Sequence, residues 1–407
     1  NLMLGFMQRP PTQVLVLAIV FSAVVLSLSR IWSGKWGGIK REEINVLKRI
    51  ERPVRRVLVI GGAGYIGSAL LPMLLRRGYK VRLLDLAIFG TDPIQEYLDH
   101  PNLEFIKGDY RQIDIVIDSM QKADAVVHLG GLVGDPACSI NEEATVDVNL
   151  VATRLLMEAA RVTGVQRFIF ASTCSVYGAS ESDELLDENS RLNPVSLYAK
   201  SKIGSERIIH ELAGTELHPV ILRFGTVFGF SGRIRFDLVI NLLTAMAYFE
   251  KKITIFGGMQ WRPFVHVEDA ASSIRHALEA PLAKVSYQTF NVGSNSQNYM
   301  ISDIGDFIKK RMPEAEVMNK DEDADLRNYR VSFDKISREL GFEAKWTVEE
   351  GIDQVIDAIR TGRVKDFRNP NYNNFKFLNE NGNMSLITEY NNWTQKLMDT
   401  QQPARAS

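Results

Sequence analysis

From Val54 onward the chain alternates short, near-continuous apolar runs with longer stretches in which apolar residues recur every third or fourth position. The short runs are Val57–Ile60, Val81–Leu84, Leu103–Ile106, Ala125–Leu129, Phe168–Ala171 and Val220–Leu222. Arg82, Glu104 and His128 are the polar residues in these runs, which are otherwise apolar and predict strands covered on both faces. The periodic stretches Ile66–Arg77, Ile113–Met120, Val148–Thr163 and Leu197–Leu212 predict helices. This alternation predicts an α/β fold over residues 54–222, a doubly wound parallel sheet with helices on both faces.

After Arg223 the rhythm breaks. A helical run at Phe236–Phe249 and a short strand at Ile253–Phe256 are followed by mixed elements at Ala270–Glu279, Thr289–Val292, Ile301–Arg311 and Val348–Ala358. These predict a smaller C-terminal α/β lobe over 223–363, built on the main sheet and facing the substrate. Residues 364–407 are rich in Asn and other polar residues without a period, so a loosely ordered or surface-draped tail is expected.

The first 53 residues follow a different pattern. Val14 to Leu28 is apolar apart from serines, and Ile31 and Trp32 bring it close to the roughly 20 residues that span a bilayer. This predicts a transmembrane helix at about residues 14–32, followed by a basic linker. Arg9 precedes the run, whereas Arg30, Lys35, Lys40, Arg41, Lys48 and Arg49 follow it. The bias predicts a single-pass protein whose catalytic domain faces the cytoplasm; a signal peptide or an in-plane anchor are the other readings. A net charge of -1 gives no reason to expect a nucleic-acid partner. Two cysteines, Cys138 and Cys174, cannot build a disulfide framework, and without a CxxC or HExxH spacing no metal is expected.

Candidate chemistry begins where the first strand ends. Gly61-Gly62-Ala63-Gly64-Tyr65-Ile66-Gly67 follows Val57–Ile60 directly and opens an apolar helix. A helix start offers free N–H groups and partial positive charge, which suit a pyrophosphate. Gly61 permits the tight turn, Gly64 lets the backbone approach the phosphates, and Gly67 lets helix and strand pack closely. Asp85 ends the second strand, 24 residues after Gly61. A carboxylate there accepts hydrogen bonds from ribose hydroxyls and repels a 2′-phosphate, so NAD is expected over NADP. Asp109 follows the third strand and is a candidate for the adenine. Leu129, Gly130 and Gly131 follow the fourth, where small residues let a cofactor lie against the backbone.

Tyr198 and Lys202 stand four residues apart on a predicted helix, hence on one face. A phenol with an ordinary pKa of about 10 is a poor base at neutral pH, and a nearby cation favours its phenolate. Lys202 is expected both to lower the Tyr198 pKa and to bind the nicotinamide ribose. Thr173, at a strand end, is the candidate for orienting a substrate hydroxyl, with Ser172 close behind.

Gly61–Gly67, Asp85, Asp109, Ser172-Thr173 with Tyr177-Gly178, and Tyr198 with Lys202 occur in the order and spacing of the extended short-chain dehydrogenase/reductases. The chain most resembles their NAD-dependent epimerase/dehydratase branch, which includes UDP-glucose 4-epimerase, from about Val54 to Arg360. The resemblance implies a Rossmann-type domain, a nucleotide-diphosphate sugar as substrate, and a homodimer. It assigns Tyr65, Ile66, Asn149 and Ser172 to the cofactor, and Arg262 and Arg327 to the substrate diphosphate, whose oxygens suit forked guanidinium donors. Asn291-Val292-Gly293 resembles the family's strand end near the substrate lobe, and His266 is expected to be a packed residue.

The family's 4,6-dehydratases carry Thr-Asp-Glu where this chain has Thr173-Cys174-Ser175. Elimination of water needs an acid and a base beyond the tyrosine, so epimerisation or simple oxidoreduction is expected. A ketoreductase or decarboxylase would use the same core. A membrane-bound sterol or lipid alcohol dehydrogenase would fit the anchor but has no use for Arg262 and Arg327. A non-catalytic NAD-binding protein would not need the intact Tyr198–Lys202 pair.

Overall fold

Each of the six apolar runs becomes a strand of one parallel sheet: β1 (Arg56–Ile60), β2 (Lys80–Asp85), β3 (Leu103–Lys107), β4 (Ala125–His128), β5 (Arg167–Thr173) and β6 (His218–Phe224). The chain then leaves through β7 (Thr226–Phe228), β8 (Lys252–Phe256) and β9 (Trp261–His266), and returns as β10 (Gln288–Val292). The sheet order is β10-β6-β5-β4-β1-β2-β3. The computed structural model describes residues 51–179, 184–320, 327–380 and 382–388. The described residues within Arg52–Ala280 and from Lys284 to Thr388 form one compact unit, and Glu51 with Pro281–Ala283 is grouped apart from it. The expected membrane helix at about 14–32 lies outside the described residues; among those described, no helix is long and apolar enough to cross a membrane.

The pleat divides each strand between two cores. Val57 and Val59 point to one face, with α1 (Tyr65–Arg76) supplying Leu70 and Leu74. Leu58 and Ile60 point to the other, against Val116 and Met120 of α2 (Ile113–Met120), Leu156 of α3 (Ala152–Val162) and Ile209 of α4 (Leu197–Leu212). A π-helical turn, Asp147–Val151, leads into α3, so the periodic stretch read from Val148 is not a uniform helix.

The lobe packs α5 (Val239–Glu250), α7 (Ile301–Arg311) and α8 (Val348–Arg360) around Ile253, Phe264, Ile304 and Ile352. Its boundary differs from the contiguous 223–363 expected. Helix α6 (Val267–Glu279) buries Ala270 and Ile274 in the same core as α1, and β10 extends the main sheet, pairing Gln288 with Val220 through to Val292 with Phe224. The expected helix at Phe236 begins only at Val239, because Phe236 lies in a turn and donates its N–H to the Tyr372 carbonyl (2.7 Å).

Candidate active site

The sheet order reverses between β1 and β4, and the loops leaving their carboxyl ends part there to open a cleft. Gly61 turns with φ of +76°, and a Cβ on it would lie 2.6 Å from the Gly130 nitrogen. Gly67 packs so closely that its Cβ would meet Gly62 Cα at 2.4 Å. Gly64 is the N-cap of α1 and uses no side chain there, which leaves the first-turn N–H groups facing the cleft. Asp85 is pinned through both oxygens: Oδ2 accepts from Ala63 N (2.9 Å) and Oδ1 from Ala87 N (2.8 Å). Burial raises its pKa, those N–H donors counter the rise, and Arg233 adds positive charge nearby.

Asp109 lines the same end but is already engaged, since Arg111 grips it at 2.6 Å and reaches Asp147 at 2.8 Å. The cleft lining here is therefore the Asp109–Arg111 pair, and Arg111 is a residue not anticipated. Leu129, Gly130 and Gly131 form the wall, together with Tyr65, Ile66 and Ser172. Tyr65 also bridges to the lobe, donating its hydroxyl to the Gly229 carbonyl (2.7 Å). Asn149 does not line the cleft. It sits in the π-turn behind the wall, where Oδ1 accepts from Leu132 N (2.8 Å) and Nδ2 donates to Leu132 O (3.0 Å). It is a positioning residue and not the direct contact expected.

Helix α4 starts at Ser196, whose hydroxyl caps Ala199 N, and presents Tyr198 and Lys202 one turn apart on the cleft. Thr173, at the end of β5, lines the cleft with Tyr198 and accepts from Ser175 N at 3.1 Å. Lys202, 5% exposed, donates to the Ala171 carbonyl (2.9 Å), with Nζ 4.6 Å from the Phe170 ring centre and 5.9 Å from that of Tyr198. Burial lowers its pKa to about 8. Burial also raises that of Tyr198, and the cation that most counters the rise is Arg235, not the expected Lys202.

Of the two arginines expected at the substrate, Arg327 lines the cleft beside Ser175 (3.3 Å) and Asp135 (3.6 Å). Arg262 does not. It is 4% exposed, donates to the Trp261 and Arg327 carbonyls and to Gln260, and stands behind Tyr329, so it positions the Arg327 backbone. In its place the cleft holds Arg233 and Arg235. In the sequence they flank Ile234, which is buried with Phe236 and Phe367 while both cations line the cleft. Arg235 is paired with Asp237 (2.7 Å), and burial, with Arg235 close by, lowers the Arg233 pKa to about 9. His266 is packed as expected, stacked on Trp346 and bonded to Gln354, and burial lowers its pKa to about 4.

A glycine turn that no Cβ could fill, a pinned acid at the next strand end and a Tyr–Lys pair beside the wall define a dinucleotide-dependent oxidoreductase core. Residues 57–293 match the NAD dependent epimerase/dehydratase family, and the chain belongs to it. It is 29% identical over 315 residues to the UDP-glucuronate 4-epimerase of Thermodesulfobacterium geofontis, covering 74% of this chain and 94% of that protein. The Bacillus cereus UDP-glucuronic acid 4-epimerase, solved with UDP-glucuronic acid and NAD, superposes with a TM-score of 0.69 at 27% identity, over 75% of this chain and 99% of that one. A Streptomyces venezuelae dTDP-glucose 4,6-dehydratase shares the fold at 24% identity and a TM-score of 0.68, over 76% of this chain and 98% of that one. The protein is an NAD-dependent enzyme, and the Gly61 turn, the wall at Gly130 and Asp85 fit that cofactor.

Proposed function

We propose that this enzyme epimerises a nucleotide-diphosphate sugar at a carbon bearing a hydroxyl. One observation carries the reading: Tyr198, Thr173 and Lys202 converge on the cleft, whereas the carboxylates among its described lining residues are Asp85 and Asp109, both at the adenosine end. That favours epimerisation over dehydration, which needs a further acid and base at the sugar. Bound NAD supplies the hydride acceptor and donor. Tyr198 takes the proton of the sugar hydroxyl and returns it after the keto-sugar has turned over, while Thr173 holds both oxygens in line. Lys202 holds the nicotinamide ribose against the wall at Ala171, and Arg327 and Arg235 offer counter-charge for the diphosphate.

Purified enzyme incubated with UDP-, dTDP-, GDP- and CDP-hexoses is expected to equilibrate one pair of epimers without net NADH. Net NADH turnover or release of CO2 would instead indicate a ketoreductase or decarboxylase. On sequence grounds, the apolar run of residues 14–32 tethers the enzyme to a membrane with its catalytic domain in the cytoplasm. Release by an alkaline carbonate wash would overturn that. Family resemblance supports a homodimer, which sedimentation equilibrium tests.

A further inference from the structure

We propose that the C-terminal segment around α9 (Asn374–Asn379) and Ser385–Thr388 is a clasp that holds NAD in the enzyme between turnovers. Asn374 and Ile387 are themselves part of the cleft lining, at the end marked by Ile88, Phe89 and Arg111. The segment is fastened there by apolar contact. Phe377 lies on Phe89 with ring centres 4.6 Å apart, and Phe377, Leu378 and Ile387 are buried in one cluster with Leu132, Cys138 and Tyr198.

Polar contacts fasten it at both ends. Arg111, already held by Asp109 and Asp147, donates to the Ile387 carbonyl at 2.6 Å. Asn374 donates to the Val133 carbonyl (3.2 Å) and accepts from Arg233 (2.7 Å), whose guanidinium lies 3.5 Å from the Phe89 ring centre. Asn383 Nδ2 donates to the Phe377 carbonyl (2.8 Å) and ties the two halves together. The family match ends at Gly293, well before Asn374. The inference rests on the epimerase reading in one respect: a cycle that takes hydride and gives it back gains from a cofactor that stays. Asn374 and Ile387 border the cleft with Asp109 and Arg111, where the adenosine is expected, so the clasp holds NAD from that end.

The full-length holoenzyme is loaded with NADH and mixed with excess NAD, and loss of bound-nicotinamide fluorescence reports release. Phe377→Ala is expected to speed release at least tenfold and to raise the KM for NAD, with Phe377→Leu restoring most of the retention. Release within twofold of the unmodified enzyme overturns the clasp. Because Phe377→Ala could loosen a wider region, hydrogen exchange is also measured on the unmodified chain. Amides of 375–379 and 385–388 are expected to exchange several-fold more slowly with NAD than after its removal, and equal exchange overturns the proposal. Neither readout needs a sugar. Clasp-dependent release in an enzyme inert to every nucleotide sugar sinks only the epimerase reading; epimerisation with unaltered release sinks only the clasp.

Discussion

Lys202 shows how burial tunes a single side chain. Its pKa falls from 10.5 to about 8 on folding. Between those values the unfolded chain binds the extra proton, so this residue's contribution to stability grows as pH rises and is lost as pH falls through about 8. Urea unfolding between pH 8 and 10 is expected to show a rise in stability that Lys202→Met flattens. On the proposed reading function runs the opposite way, because only the ammonium gives the ribose a charge-assisted hydrogen bond. The KM for NAD is expected to climb above pH 8 in the native enzyme. In the proposed cycle the Tyr198 phenol carries the proton, so Tyr198→Phe should lower kcat by about 10²–10⁴-fold, the usual range for a lost acid–base group, with NAD affinity little changed by titration. The pairing of Tyr198 with Lys202 was legible from spacing alone, since the helical period puts residues four apart on one face. The influence of Arg235 on Tyr198 was not, because it arises between segments that meet only on folding.

The β1–α1 turn illustrates the element scale. Gly61→Ala would force a side chain into the left-handed region and set its Cβ 2.6 Å from Gly130 N. The expected result is loss of co-purifying NAD and a lower Tm. A second element-level device runs between β5, α4 and β6. Ser172 donates to Glu206 (2.5 Å), which Arg223 grips through both oxygens (3.0 and 2.7 Å), and Arg223 also donates to the Tyr177 hydroxyl (3.0 Å), which donates in turn to Asn291 (2.8 Å). Glu206→Gln would leave the Arg223 charge buried without its counter-ion, and urea unfolding is expected to show a loss of about 3–5 kcal/mol. Element positions were readable wherever one period persists: Ile113–Met120, Leu197–Leu212 and Ile301–Arg311 fall where the apolar spacing predicts. At Phe236 the pattern misled, because its aromatic ring fills a cluster with Phe367 and Val355 while its backbone bonds to Tyr372.

Across the whole molecule, local patterning and tertiary placement divide the outcome. Strands, helices, the glycine turn, Asp85, Thr173 and the Tyr198–Lys202 pair follow from the linear chain, because each depends on backbone period or on residues a few positions apart. The joining of β10 to the main sheet, the choice of Arg233 and Arg235 over Arg262 as cleft cations, and the retreat of Asn149 behind the wall depend on which segments pack together. So does the fate of residues 364–388, which read as a polar tail because Phe377, Leu378 and Ile387 are too widely spaced to show a period. Their burial against Leu132 and Phe89 is a long-range contact, and no short-range rule of chain stiffness or amphipathicity encodes a contact of that kind.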